Sequence, residues 1–138
     1  MGLILLDSTV IVGFLDADDA LHEVSAARLR EIAGTQPLAA SVVSFAEVMT
    51  GAELGHHSTE LVAGFFDALV RDLLAVDRKI AERAATIRGA RRSLPMPDAL
   101  ILATADLHDE IDTVLCGDSD WPKVKGLDCR VELLRVDH

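Results

Sequence analysis

The chain has 138 residues, half of them hydrophobic, with 23 Asp+Glu against 13 Lys+Arg and a formal net charge of -10. Such a chain is long enough to bury a sizeable core as one domain, residues 1–138, and too apolar to stay disordered. The acidic balance excludes tight nucleic-acid binding by phosphate neutralisation alone, but not an enzyme that meets a polyanion through bound metal ions.

"LILL", Leu3 to Leu6, is a short apolar run closed by a polar residue and predicts a buried first strand. "MGLILLDSTVIVGFLD" carries no basic leader and is interrupted by Asp7, so it is not read as a signal peptide. A short helix follows over Ser8 to Leu15. In "ADDALHEVSAARLREIAG", Leu21, Val24, Ala27, Leu29 and Ile32 recur at helical spacing, and Gly34 stops the helix. "PLAAS" predicts a strand, and Ser44 to Leu54 a helix ending at Gly55. Thr59 to Leu73 reads as a helix whose buried side holds Leu61, Val62, Phe65, Phe66, Leu69 and Val70. "LLAV" predicts a third strand, and Arg78 to Arg92 a helix with a basic tip. Pro97 opens a further helix to about His108, since proline favours the first helical turn. "TVLCG" and "RVELLRV" are the late strands. No run is long enough to span a bilayer, and Cys116 and Cys129 lack any CxxC or zinc spacing, so a reducing cytoplasm is expected.

Apolar strands alternating with helices define an α/β class, a three-layer α/β/α arrangement around a mostly parallel sheet. Ligands of such sheets collect at the carboxyl ends of the strands. Four acids fall at such places. Asp7 ends the first strand, and Glu47 sits in the first turn of the helix opened by "SVVSFAEV". Asp98 follows Pro97, and Asp118 closes the last long strand and opens "DSDW". Each has a structural alternative. Ser44 and Glu47 match a capping box, Asp98 complements a helix dipole, and Asp7 or Asp118 could cap a helix.

Taken together, the four would point into one crevice. Two carboxylates about 6 Å apart repel by about 3 kcal/mol at an effective dielectric near 20. Six such pairs compete with the whole stability of a small domain, about 5–15 kcal/mol. The cluster persists if some groups stay protonated or if divalent cations sit among them. An all-oxygen carboxylate set suits Mg2+, with Mn2+ as a substitute, rather than zinc or copper.

The pieces "LLDSTVIVGFLD", "SVVSFAEVMTG", "MPDALILATA" and "CGDSDW", in this order and over essentially the whole chain, resemble a PIN-domain nuclease and, within that class, the VapC toxins of bacterial toxin–antitoxin pairs. The resemblance implies a PIN-like fold and metal ligation by Asp7, Glu47, Asp98 and Asp118. Asp120 would be a further acid in or beside the site, and Thr9 the hydroxyl that orients the first aspartate. It implies a Mg2+-dependent endoribonuclease, a hydrolase that leaves a 5′-phosphate and a 3′-hydroxyl on RNA such as tRNA or rRNA. It also implies a homodimer or hetero-oligomer held inactive by a small antitoxin, which would use a groove near Leu21 to Ile32 and Ser44 to Leu54. Two departures stand out. Cys116 replaces the family's usual Thr or Ser, and Trp121 replaces its usual Phe, a change read as core packing.

A metal-free route through the ribose 2′-OH would need paired histidines. His22, His56, His57, His108 and His138 form no catalytic pairing, although His56 and His57 are adjacent in a loop. Arg88, Arg91 and Arg92 in "RGARR" are the densest basic patch and would hold RNA phosphates at the crevice mouth, unless they merely complement a helix end. The remaining alternatives are a PIN nuclease of RNA maturation or decay, and a catalytically silent interaction module of the same fold. An aspartyl phosphohydrolase is disfavoured, because Thr9 stands where its second aspartate would be.

Overall fold

Leu3–Leu6 forms strand β1, and its side chains alternate between two buried layers. The computed structural model describes residues 2–136, so His138 lies outside the described residues. After β1 come α1 (Ser8–Leu15), α2 (His22–Ile32), β2 (Leu38–Ser41), α3 (Val42–Glu53), α4 (Thr59–Leu69) and β3 (Asp72–Leu74). Then follow α5 (Arg78–Ala90), α6 (Met96–Leu107), β4 (Ile111–Cys116), a 3-10 turn at Trp121–Lys123 and β5 (Arg130–Leu133). The strands make one parallel sheet in the order β3-β2-β1-β4-β5. Among the described residues no helix is long and apolar enough to cross a membrane.

Both faces of the sheet are covered. Leu3, Leu5, Ala39, Val114 and Cys116 pack against α5 and α6, together with Trp121. Ile4, Leu6, Leu38, Ala40 and Leu115 pack on the other side with residues of α1 to α4, including Val10, Leu29, Val48 and Phe65. This two-sided burial is why the strands read as unbroken apolar runs rather than alternating ones. Each such Leu or Ile contributes about 1.5–3 kcal/mol of transfer free energy.

Strand order reverses between β1 and β4: the chain leaves β1 towards β2 and leaves β4 towards β5. The segments after these two strands therefore diverge and leave a crevice between them.

Three expectations need correction. The helix predicted to Leu73 stops at Leu69, because Arg71 N–H donates to Leu38 O and Asp72–Leu74 pairs with Ala39–Ser41. Leu61 and Leu69, expected on the buried side, are exposed, and helical spacing could not reveal that the sheet captures the residues after Leu69. Helix α2 begins only at His22, since the Asp16 and Asp19 side chains accept from Asp18 and Leu21 N–H, both at 2.9 Å, and hold turns there. Ser25 and Ala26, not Ala27, face the interior.

The third concerns the capping box. Ser41 is the N-cap of α3, its hydroxyl accepting from Val43 N–H at 3.0 Å. Ser44 lies inside the helix, buried and with no hydrogen-bond partner for its hydroxyl among the described residues. Glu47 is thus in the second turn, and its carboxylate is left over from capping. Asp98 does sit in the first turn of α6, behind Pro95 and Pro97.

Candidate metal centre

The ends of β1 and β4 lie side by side, with Asp7 N–H donating to Leu115 O at 2.9 Å. Asp7 takes the N-cap position of α1 but makes no cap bond; its carboxylate accepts from side chains instead. Thr9 Oγ1 donates to Oδ2 at 2.6 Å, and Ser8 Oγ lies 3.3 Å from Oδ1. Thr9 is itself fixed by Gly117 N–H, which donates to its hydroxyl oxygen at 3.0 Å. A Cβ at Gly117 would strike the Leu21 side-chain tip and come within 3.0 Å of Thr9 Oγ1, so a larger residue here would push on the hydroxyl that holds Asp7.

Asp7 is buried, and that desolvation pushes its carboxyl up to about 6. The Thr9 hydrogen bond opposes the rise, while the charges of Asp98 and then Glu47 add to it. Glu47 is exposed as a residue but leans its carboxyl end into the crevice, where Ser8 Oγ donates to Oε1 at 3.0 Å. Partial desolvation raises it, the Ser8 bond lowers it, and Asp98 raises it further. Asp98 is raised in the same way, by desolvation first and by Asp118 as well, against a lowering hydrogen bond from Trp121. Asp98 is therefore the hub: its charge is felt at Asp7 and Glu47, and it feels that of Asp118.

Among the described residues, none of these four carboxylates forms an ion pair with a Lys, Arg or His. In their present rotamers no three Asp, Glu, His or Cys side chains of the described residues converge into a ready ion cage. Local hydroxyl, amide and indole donors hold these side chains in their present places. Asp118 Oδ1, for instance, accepts from Asp120 N–H at 2.8 Å.

Trp121 is more than packing. It is fully buried, and its indole N–H donates to Asp98 Oδ2 at 3.0 Å. A buried indole needs an acceptor for its N–H, and here it is an acid 23 residues away in the chain, which the reading of Trp121 as core packing missed. Cys116 is buried behind the crevice, its thiol pushed up to about 12 chiefly by desolvation, and its Sγ reaches Asp118 O at 3.7 Å. It stands neutral.

Asp120 stands beside the four acids, half-exposed, with Arg91 Nη2 and Lys123 Nζ each 3.6 Å from its Oδ1. Of the three arginines, Arg91 alone reaches this neighbourhood by a described contact. Arg88 is half-buried on the last turn of α5 and Arg92 is exposed beyond it. Two of the histidines serve the scaffold: His22 Nδ1 pairs with Gly13 O and His57 Nε2 with Val48 O, both at 2.8 Å.

A doubly covered parallel sheet with an acidic crevice at its topological switch point defines an α/β/α protein whose chemistry belongs at the carboxyl edge. The chain belongs to the PIN-domain family, whose model matches residues 4–127, and this places it among nucleases. No curated protein matches it. Its fold is similar to a chain of VapBC2 from Rickettsia felis bound to a DNA fragment from their promoter, at 13% identity and TM-score 0.75, over 96% of this chain and 99% of that one. A toxin–antitoxin complex from Klebsiella pneumoniae is similar at 25% identity and TM-score 0.61, over 84% and 87%. VapC20 of Mycobacterium tuberculosis, described as a sarcin-ricin loop cleaving toxin, is similar at 18% identity and TM-score 0.69, over 92% and 98%.

Proposed function

We propose that the chain is a divalent-cation-dependent endoribonuclease and the toxin of a toxin–antitoxin pair. The observation that supports this most is the uncompensated charge at the β1/β4 crevice. Asp98 and Glu47 raise Asp7, Asp98 raises Glu47, and the charge of Asp118 raises Asp98, with no cationic side chain paired to any of the four among the described residues. The donor set is all oxygen, which suits Mg2+ or Mn2+. Asp7, Asp98 and Asp118, with Glu47, would hold one or two such ions once Glu47 and Asp118 turn from their present hydrogen bonds.

A bound ion of this kind supplies an activated water and offsets charge on phosphate oxygens. The rest falls to the chain's own groups. Thr9 fixes Asp7 through Oδ2 and is fixed by Gly117, while Trp121 fixes Asp98 through Oδ2. Asp98 Oδ1 makes no hydrogen bond among the described residues. Asp7 alone of the four is buried, so water screens its charge less than that of Glu47, Asp98 or Asp118.

Purified chain incubated with total RNA should cleave with Mg2+ or Mn2+, stop in EDTA, and leave mapped ends with 5′-phosphate and 3′-hydroxyl. Full activity in chelator would overturn the reading. Absence of a Mn2+ site would favour the silent module. Ribosomal RNA and tRNA are the first substrates to test, given how the similar VapC20 is described.

The toxin role, rather than RNA maturation, is supported by the similar chains coming from toxin–antitoxin complexes. A cleft of about 290 Å³ bounded by Val12, Leu21 and Glu47 offers an antitoxin an apolar wall ending at an acid. Expression of the chain alone should arrest growth and coexpression with a small basic partner should relieve it; harmless overexpression would return the maturation reading.

A further inference from the structure

Although the chain is strongly acidic, four of its cations meet in one place. Arg83, Arg91, Lys123 and Lys125 line a cleft of about 320 Å³ between α5 and the segment after the Trp121–Lys123 turn, over Ile87 and Val124. Two of the chain's three lysines are there. Arg83 is tied down, donating from Nε to Asp106 Oδ2 at 2.7 Å and from Nη2 to Gly126 O at 3.0 Å. Its charge is matched, and it acts as the brace that holds the 123–126 segment against α5.

The others are not matched. Arg91 and Lys123 share the single carboxylate of Asp120, each at 3.6 Å, longer than a hydrogen bond. Lys125 has no acid partner among the described residues. The cleft thus carries about two positive charges in excess of its acids, with donor capacity unused. It starts at Asp120, whose N–H binds Asp118 Oδ1, and runs away from the acidic crevice towards Gly126. Cations on the rim and an apolar floor match a strand of nucleic acid, with phosphates above and sugar or base faces below.

We propose that this cleft is a phosphate subsite that holds the single-stranded RNA backbone to one side of the scissile bond. The assignment rests on the nuclease reading, and it gives an acidic protein a local means of holding a polyanion that its net charge repels.

The test is binding of a short labelled single-stranded RNA by the full chain in EDTA over a series of salt concentrations, followed by fluorescence anisotropy. Each lost phosphate contact lowers the slope of log K against log salt by about 0.7 for single strands. The double variant Lys123→Gln/Lys125→Gln should lower it by about 1.4 and weaken binding at low salt. Arg78→Gln, on an exposed residue paired only with Glu82 among the described residues, should leave the slope alone. An unchanged slope in the lysine variant overturns the proposal. Equal loss of binding to polyglutamate also overturns it, by marking a general polyanion contact. Mg2+-dependent cleavage by the wild-type chain is scored separately, so a moved slope without cleavage sinks the nuclease reading and leaves the cleft. Cleavage with an unmoved slope does the reverse.

Discussion

Acidic side chains gather at both ends of the central sheet, and the two ends treat them differently. At the amino end, Arg71 lies 2.8 Å from Asp72 and 3.6 Å from Glu110, and Asp112 accepts from Gly2 N–H at 3.2 Å. These groups are exposed or nearly so, and a cation, Arg71, pairs with two of them within the chain. At the carboxyl end, Asp7 is buried and its three acidic neighbours have no paired cation among the described residues. Hydroxyls and an indole hold them in place without neutralising them. A protein that needed acids only for solubility would build both ends like the first. The second stores unfavourable energy that a ligand of opposite charge can release.

The sharpest way to break that comparison is Asp7→Asn. The carboxyl's ordinary value is 3.8 and its folded value about 6, so between these the folded chain binds more protons than the unfolded one. Metal-free stability should therefore fall as pH rises through this window and stay lower above it, by about 3 kcal/mol at full ionisation. Asp7→Asn should erase that pH dependence and melt higher than the wild type at pH 8 without metal, while cleavage falls more than about a hundredfold. A variant that melts lower at pH 8, with fold intact, would mean that the carboxylate is not under strain.

Trp121→Phe ranks next. It keeps an aromatic core residue but removes the donor that fixes Asp98, and Mn2+ affinity should drop about 10- to 100-fold, as for other supporting contacts to metal ligands. Manganese titration by electron paramagnetic resonance reads this apart from stability; equal affinity would return Trp121 to packing alone. Smallest is the control at the other end. Asp72→Asn should change stability by less than about 1 kcal/mol, because exposed ion pairs contribute little, and leave cleavage as it was. A large effect there would dissolve the contrast between the two ends.

Much of this was readable in advance, and the failures have physical causes. Strand β1 and helix α1 were readable to the residue, since an apolar run closed by Asp7 leaves few choices. Four acids could be assigned to one edge because parallel α/β topology sends every strand's carboxyl end the same way. Ser44 misled, because S-x-x-E spacing fits a cap and nothing local reveals that Ser41 already fills that place. The end of α4 misled because edge-strand capture at Arg71 is a tertiary event. The Trp121–Asp98 bond spans 23 residues, and so does the Arg83–Asp106 pair that shapes the basic cleft; neither leaves a periodic trace.

The bond between Trp121 and Asp98 has a practical consequence. The chain has one tryptophan and no tyrosine, so emission excited beyond the absorption of its four phenylalanines comes from this indole alone. Any ion drawing on the Asp98 carboxylate alters the field at the ring, which makes the unlabelled protein its own optical gauge of what occupies the crevice.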